Sequence, residues 1–204
     1  MEGLPRQRLS IQTVMANTAK LLLLVLPVSF VSYYVGRNGA IQTHLAFREH
    51  EIGGRAVTSP LGDQFRAGPS IYVPAYSHIY VENGQGSLLT VTLSVRNVSP
   101  DRRIVLDAVD YYDTSGERVR RYLESPLELA PLETAEFLVV EDDTLGGSGA
   151  NFMVQWRGQS GIPPPLTEAI MVGKTGAGMI SFGRAGIPVP GTAAPVRAAA
   201  SANR

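Results

Sequence analysis

The sequence predicts an all-β fold, an antiparallel immunoglobulin-like β-sandwich of about 7–8 strands, preceded by one N-terminal transmembrane or signal helix. Short runs rich in β-branched and aromatic residues recur between turn residues from Ile71 onwards, which is the pattern of a sandwich or barrel. The clearest run is Ser87 to Asn97, where apolar and polar residues alternate as in a strand with one buried face. Its apolar positions are Leu89, Val91, Leu93 and Val95.

An uncharged segment, Leu21 to Gly36, reads LLLLVLPVSFVSYYVG and follows a leader that carries Arg6, Arg8 and Lys20. A basic leader before an apolar run is typical of a cleaved signal peptide or of an uncleaved signal anchor. As a helix the segment would rise about 24 Å at ~1.5 Å per residue, against a hydrocarbon core of about 30 Å. We favour the anchor, because the residues after the run are poor in the small side chains that cleavage requires.

The organisation that follows from this pattern has five parts. A basic cytoplasmic leader occupies residues 1–20, and a signal anchor or signal peptide occupies residues 21–36. A polar, Gly-rich spacer covers residues 37–69, and the β-sandwich domain covers residues 70–183. The Ala/Pro/Gly-rich residues 184–204 have no core-forming pattern and are expected to be a disordered tail. In both interpretations of the apolar segment, the β domain is expected on the extracytoplasmic side of a bacterial membrane.

Within the domain, the first strand region carries a proline. Pro74 cannot donate a backbone hydrogen bond, so Ile71 to Val81 is expected to be an edge strand or a strand broken at a bulge. Gly173 to Gly178 (GKTGAG) lacks the full phosphate-binding pattern and is expected to be a hairpin turn. The further predicted strands are Ile104 to Asp113, Val119 to Leu123, two short strands between Leu127 and Val139, Phe152 to Trp156, Glu168 to Gly173, and Met179 to Phe182.

Composition excludes several function classes. The formal net charge is zero, with 18 basic and 18 acidic residues, so there is no excess of positive charge for binding nucleic acid. The chain has no cysteine, which excludes disulfides, thiolate zinc sites, cysteine nucleophiles and a lipid-modified cysteine. No cofactor is predicted.

Five motifs of the domain resemble those of the bacterial family called domain of unknown function 3124. They are IYVPAYSHIY (71–80), LTVTLSVRNVSPDR (89–102), VDYYDTSGERVRRYL (109–123), EDDTLGGSGANFMVQW (141–156) and EAIMVGKTGAGMISF (168–182). The resemblance implies an exported or membrane-attached protein and supplies no functional residues. Many relatives carry a lipid-attachment cysteine, and its lack here implies that a protein segment serves as the anchor.

A set of polar, titratable and loop residues of the domain is predicted to form a ligand or partner surface. His78 is the only histidine of the β domain. A regular strand would place His78 and Ile79 on opposite faces, with His78 near Tyr76. A glycine-rich loop, TLGGSG (144–149), follows an acidic run and offers backbone amides to a ligand, or it is simply a β connection that needs positive φ angles. The remaining members of the surface are Asp142, Asp143, Gly147, Ser148, Gly149 and Asn151.

The expected function is that of a non-catalytic interaction or structural module of the bacterial envelope, with no metal site. Two alternatives remain open at this point. One is an envelope hydrolase that uses His78 with Asp142 or Asp143. The other is a carbohydrate- or ion-binding module, for which Tyr111, Tyr112 and Tyr122 could form an exposed aromatic patch. Trp156 is expected in the core. The membrane, through residues 21–36, is the one predicted partner; a protein or glycan partner is unknown.

Overall fold

The computed structural model describes residues 11–45, 53–58, 61–176 and 178–190. The first half of the predicted leader and most of the predicted tail lie outside the described residues. The chain divides into two compact units, residues 1–47 and residues 48–204, which are described separately.

The first unit contains a single described helix, α1, Ile11–Leu45. It is longer than the predicted apolar segment and continues through Pro27, which lies inside it. The stretch Met15–Tyr34 has 20 residues, a mean hydropathy of 1.6 and no buried part. At ~1.5 Å per residue it rises about 30 Å, which equals the thickness of a bilayer core. By length and composition this helix could cross a membrane.

The second unit consists of antiparallel β-strands and is the predicted β domain. Its strands are β1 (Arg55–Ala56), β2 (Phe65–Ala67), β3 (Ser70–Pro74), β4 (His78–Val81), β5 (Gln85–Arg96), β6 (Ile104–Tyr112), β7 (Arg118–Arg121), β8 (Leu127–Leu129), β9 (Thr134–Val139), β10 (Asn151–Gln159), β11 (Leu166–Thr175), β12 (Gly178–Ala185) and β13 (Ile187–Val189).

Two sheets contain these strands. Sheet I has eight strands in the order β1-β8-β6-β10-β3-β13, with β2 also paired to β10 and β7 also paired to β6. Sheet II has five strands in the order β12-β11-β5-β4, with β9 paired to β5 beside β4. Every described strand pair is antiparallel. The all-β, antiparallel character predicted from the sequence is confirmed.

One core lies between the two sheets. The strands bury alternate side chains in it, and the period of two predicted for β5 is confirmed, because Leu89, Val91, Leu93 and Val95 are all fully buried. Trp156 is in this core, as predicted, and its indole nitrogen donates to the carbonyl of Pro69 at 3.0 Å. The largest fully buried side chains come from both sheets and include Ile71, Leu106, Tyr111, Phe137, Phe152 and Met171.

Along the described residues the chain crosses between the sheets six times, and two of these crossings occur at a proline and at a glycine. The predicted strand Ile71 to Val81 is broken after Pro74, so that β3 belongs to sheet I and β4 to sheet II. The other of these two crossings is at Gly186, between β12 and β13, where a Cβ would collide with Thr167 and Ile71. Because β13 pairs with β3, the first strand of the predicted domain is covered on both sides and is not an edge strand.

The predicted number of strands, about 7–8, was wrong, because the described part of the chain has thirteen. The missed strands are short: β1, β2 and β13 have two or three residues each, too few to show an alternating pattern. Strands β1 and β2 lie in the predicted spacer, and β13 lies in the predicted tail. The hairpin turn predicted within Gly173 to Gly178 is confirmed, since β11 and β12 pair from Thr175 and Gly178.

Candidate binding surfaces

The strands of the β domain define two opposite ends. The near end contains Gly53 and Gly54, which pack against the backbone at Thr134 and Glu128, and the β5–β6 and β8–β9 connections. The far end contains residues 75–77, the β6–β7 turn, residues 140–150 and the β11–β12 turn. Strand β5 runs from the far end to the near end, and its 12 residues span about 40 Å at ~3.3 Å each.

The glycine-rich loop at the far end is held in place from two sides. The hydroxyl of Ser77 accepts a hydrogen bond from the Gly147 amide at 2.7 Å, and the Ser77 amide donates to the Gly147 carbonyl at 3.1 Å. The Thr114 hydroxyl accepts from the Gly149 amide at 2.9 Å, and the Thr114 amide donates to the Gly146 carbonyl at 2.9 Å. The amides of Gly147 and Gly149 are therefore used inside the protein, which corrects the expectation that they are available to a ligand.

Gly147 also needs its glycine for conformational reasons, since its φ is 85°. This supports the simpler of the two interpretations of the loop, a β connection that depends on positive φ. No sequence pattern points to Ser77 or Thr114, which hold the loop, because each lies 32 or more positions from its partner in the chain.

A buried hydroxyl lies under the same loop. Tyr111 is fully buried, and its hydroxyl has no hydrogen-bond partner of good geometry among the described residues. Burial raises the pKa of Tyr111 well above its usual range, the nearby charge of Asp143 raises it further, and the Ser77 hydroxyl offsets a part of the rise. Because Tyr111 is buried and Tyr122 packs against Phe137 and Phe152, the predicted exposed patch of three tyrosines was wrong.

The acidic residues of the far end serve as turn residues. The Asp143 carboxylate accepts a hydrogen bond from the Leu145 amide at 3.0 Å, and Asp142 is exposed beside it. In the β6–β7 turn, Asp113 accepts from the hydroxyl and the amide of Ser115 and from the amide of Glu117. The Ser115 hydroxyl, followed by the Glu117 amide, lowers the pKa of Asp113 below its usual value of 3.8. No group of three or more acidic or histidine side chains within the described ranges is suited to a metal ion.

The predicted surface residues are distributed over three parts of the domain. His78 lies on the outer face of sheet II, where its ring contacts that of Tyr80 edge-on, with centroids 5.3 Å apart. Ile79 packs towards the core, so the predicted opposition of His78 and Ile79 is confirmed. Tyr76 packs between the core and Phe182.

The other members lie elsewhere. Asn151 begins β10 on sheet I, opposite Pro74 and Tyr112. Ser148, Gly147 and Gly149 lie in the loop between the sheets, and among the described contacts His78 has no hydrogen bond or ion pair with Asp142 or Asp143.

The outer face of sheet II is unusually apolar. Large apolar side chains that point away from the core keep between 36% and 68% of their surface exposed on β5, β11 and β12, and Val140 extends the row just beyond β9. Neighbouring exposed apolar side chains on one sheet face are a feature that interaction surfaces share. Sequence analysis missed this surface, because Leu166 to Thr175 carries apolar residues on both faces and the buried face could not be told from the exposed one. The exposed residues are Leu88, Val140, Leu166, Ile170, Val172 and Met179.

The outer face of sheet I is charged instead. Asp110 is 3% exposed, and its carboxylate accepts two hydrogen bonds from the Arg121 guanidinium, both at 2.8 Å. Arg118 lies 3.6 Å from the same carboxylate. The hydrogen bond to Asp110 raises the pKa of Arg121 above its usual value. A second pair, Arg157 and Asp107, joins β10 to β6 at 2.8 and 2.9 Å. These ion pairs lie on the outside of the sheet and join neighbouring strands.

Residues 68–189 match the family described as "Protein of unknown function (DUF3124)". The chain belongs to this family. A comparison with curated proteins gives no match. Among solved structures, "Crystal Structure of Thermotoga maritima 1070" aligns with a TM-score of 0.37 and 8% sequence identity, covering 61% of this chain and 97% of that chain.

The part matched by the DUF3124 family begins two residues before β3 and ends with β13. It therefore contains the far-end loop, all of sheet II and the six crossings between the sheets, whereas β1, β2 and helix α1 lie before it. This membership confirms the family resemblance that the five sequence motifs indicated. In this chain, the exposed apolar face of sheet II is a feature of the DUF3124 domain itself and not of the segment that precedes it.

Proposed function

We propose that this protein is a membrane-anchored or exported, non-catalytic interaction module of the bacterial envelope. The observation that carries the proposal is the combination of an entirely exposed apolar helix, Met15–Tyr34, with a β domain that exposes an apolar sheet face. A helix of this length and hydropathy is stable in a bilayer and poorly soluble outside one. The orientation follows the basic leader, with the β domain on the extracytoplasmic side.

The non-catalytic part of the proposal is supported by how the polar groups are used. The hydroxyls of Ser77 and Thr114 hold the glycine-rich loop, Asp143 caps a turn, and His78 contacts an aromatic ring. A general base must reach within about 3 Å of the group that it activates, and none of these groups is arranged with another in that way. The immunoglobulin-like type of sandwich belongs to the same proposal and is supported by two antiparallel sheets around one core.

The absence of cysteine in the natural chain makes the localisation directly testable. In a Ser115→Cys variant, an exposed turn residue carries the only thiol. We expect a membrane-impermeant maleimide to label it in intact spheroplasts, and the protein to resist extraction from membranes by alkaline carbonate. The matched control is Gln7→Cys, in the predicted cytoplasmic leader, which is expected to react only after the membrane is permeabilised. Recovery of the unlabelled protein in the cytosol of intact cells would contradict the proposal, and the mass of the mature chain distinguishes an anchor from a cleaved signal.

A further inference from the structure

We infer that the partner of the apolar face of sheet II is a second copy of this chain, packed face to face with its strands antiparallel. This inference rests on the proposed function, since it names the partner of the interaction module. It is drawn from the strand registers, which show that the face is complementary to itself after a two-fold rotation.

The two-fold axis would lie between the two packed sheets, parallel to their plane and perpendicular to the strands. It would pass over Met171 of β11. Along β11 the outward residues are Leu166, Glu168, Ile170, Val172 and Lys174, and the last four are arranged symmetrically about position 171. A two-fold axis at this point places Lys174 of each copy against Glu168 of the other and Ile170 against Val172. A two-fold interface requires this kind of self-complementary patch. Opposite charges therefore meet at both ends of the strand, and branched apolar side chains meet in the middle.

The neighbouring strands repeat the same complementarity. The register places Met179 beside Lys174 and Ala185 beside Glu168, so the rotation would bring the 68%-exposed Met179 against the small Ala185 of the other copy. The row that contains Lys174 is thus bulky, and the row that contains Glu168 is small.

On the other side of β11 the pattern holds for charge as well. His78 pairs in register with Leu88, and Glu136 pairs with Ser94, which itself pairs with Glu168. Because β4 and β9 lie on the same side of β5, the rotation brings His78 of one copy against Glu136 of the other. The one histidine of the domain, which has no polar partner within its own described chain, would gain a carboxylate across the interface.

The arrangement uses four charged or titratable groups of the face, Lys174, Glu168, His78 and Glu136, and three of them are available for such contacts. Neither Lys174 nor Glu136 has an ion pair among the described residues, and both are exposed. Glu168 is paired with Arg96 at 2.8 Å, but the two side chains keep 34% and 44% of their surface exposed. Glu168 can therefore accept a second cation without losing the first.

The size of the face predicts a weak dimer. The distance between the Glu168 row and the Lys174 row is about 20 Å, at ~3.3 Å per residue along the strand. Four neighbouring strands span about 15 Å, at ~4.8 Å per strand. This gives roughly 300–500 Å² per copy, below the ~800 Å² per partner of stable complexes. Anchoring of both copies in one membrane compensates, because it raises their effective concentration. Self-association is therefore expected between copies that share a bilayer.

Cysteine crosslinking of the full-length chain tests the geometry. Lys174→Cys and Glu168→Cys variants are reconstituted together in liposomes and treated with a bismaleimide of about 10 Å reach, the spacing of packed sheets. We expect a crosslinked dimer from the mixture. Lys174→Cys alone should give only background, since two 174 positions are about 20 Å apart in this arrangement. Ser115→Cys mixed with Lys174→Cys is the control for random collision. A dimer from Lys174→Cys alone, or none from the mixture, overturns the inference.

Charge exchange provides a second, independent readout. Dyes on Ser115→Cys chains report dimer formation in liposomes through energy transfer. When all copies carry Lys174→Glu, or all carry Glu168→Lys, the dimer affinity is expected to fall about tenfold and the energy transfer to fall with it. A mixture of the two variants should restore it, because both intermolecular contacts again join opposite charges. Equal transfer in all four samples would overturn the inference.

These outcomes separate the inference from the proposed function. Flotation of the chain with liposomes tests the membrane anchor by itself. If the chain floats but forms no specific dimer, the self-association fails and the anchored module remains. If it does not float, the anchor fails, and the same crosslinking mixture at millimolar protein concentration, the level that tethering would supply, decides the self-association.

Discussion

Gly146 lies directly over the phenol of Tyr111, so that its missing side chain makes room for the buried hydroxyl. The contact joins the far-end loop to the centre of sheet I and explains why the loop is glycine-rich at this point. It also sets a steric condition that can be examined by substitution, because an added methyl group would meet the Tyr111 hydroxyl oxygen most closely, followed by the ring carbon that carries it and the Cβ of Ala150.

The first prediction concerns this contact. Gly146→Ala is expected to destabilise the domain by about 1–3 kcal/mol, the usual cost of overpacking a core. Combination with Tyr111→Phe should recover a part of the loss, because removal of the hydroxyl opens the space that Cβ needs. Gly176→Ala is the matched control, since no heavy atom lies within 4 Å of its Cβ position. Denaturant unfolding measures each change, and strictly additive effects of the two substitutions would show that the clash is not with the hydroxyl.

The second prediction concerns Tyr111 alone. Its hydroxyl is buried without a well-formed hydrogen bond among the described residues, so Tyr111→Phe is expected to keep or raise stability, by up to about 1 kcal/mol. The alkaline pH dependence should change as well. Burial raises the pKa of Tyr111, so the unfolded chain releases this proton first, near pH ~10. The wild-type protein therefore loses stability as pH rises above that value, and the variant should lose less. A marked loss of stability in the variant at neutral pH would reveal a hydrogen bond to the hydroxyl.

The sequence predicts the sheets better than it predicts their contacts. In β5 the alternation is clear because one face is wholly apolar and the other polar, so both the strand and its buried face could be predicted. In β11, Ala169 and Met171 point inward while Ile170 and Val172 point outward, and no periodicity distinguishes a core face from a binding face. The proline at the end of β3 indicated a break, but the transfer of the chain to the other sheet depends on long-range pairing with β5.

The candidate site shows the same limit. Residue type alone indicates His78, Asp143 and Gly147 as members of a binding surface. Residue type does not tell whether a group is already used inside the fold. Ser77 and Thr114 determine that Gly147 and Gly149 are occupied, yet a single serine and a single threonine in turns carry no pattern. The self-complementary rows of sheet II can be recognised only when the register of four strand pairs is known. That register follows from the complete topology and not from any one segment.

The third prediction concerns the β6–β7 turn. The pKa of Asp113 is lowered, first by the hydroxyl of Ser115 and then by the Glu117 amide. A carboxyl whose folded pKa is below its unfolded value stabilises the fold above the unfolded pKa and loses that effect as pH falls through the folded one. A carboxyl-detected NMR titration is therefore expected to give a value below 3.8 for Asp113. In Ser115→Ala the pKa should rise but stay below the usual value, since the two amides still donate. An unchanged pKa in this variant would assign the shift to the backbone alone.

The fourth prediction concerns the ion pairs of sheet I. Asp110 is almost fully buried between β7 and β10 and binds Arg121 through both carboxylate oxygens. Asp110→Ala is expected to cost about 1–3 kcal/mol, because a charge-assisted bidentate pair is lost while half-exposed arginines can turn to water. Asp101→Ala is the exposed control, since Asp101 is 74% exposed, lies 3.7 Å from Arg102 and accepts one hydrogen bond from the Ser99 hydroxyl, and it should cost about 1 kcal/mol or less. Chemical denaturation of both variants at low and high salt compares them. Equal losses would mean that burial adds nothing to the Asp110 pair, and the charged face of sheet I would then be no more than a solvated surface.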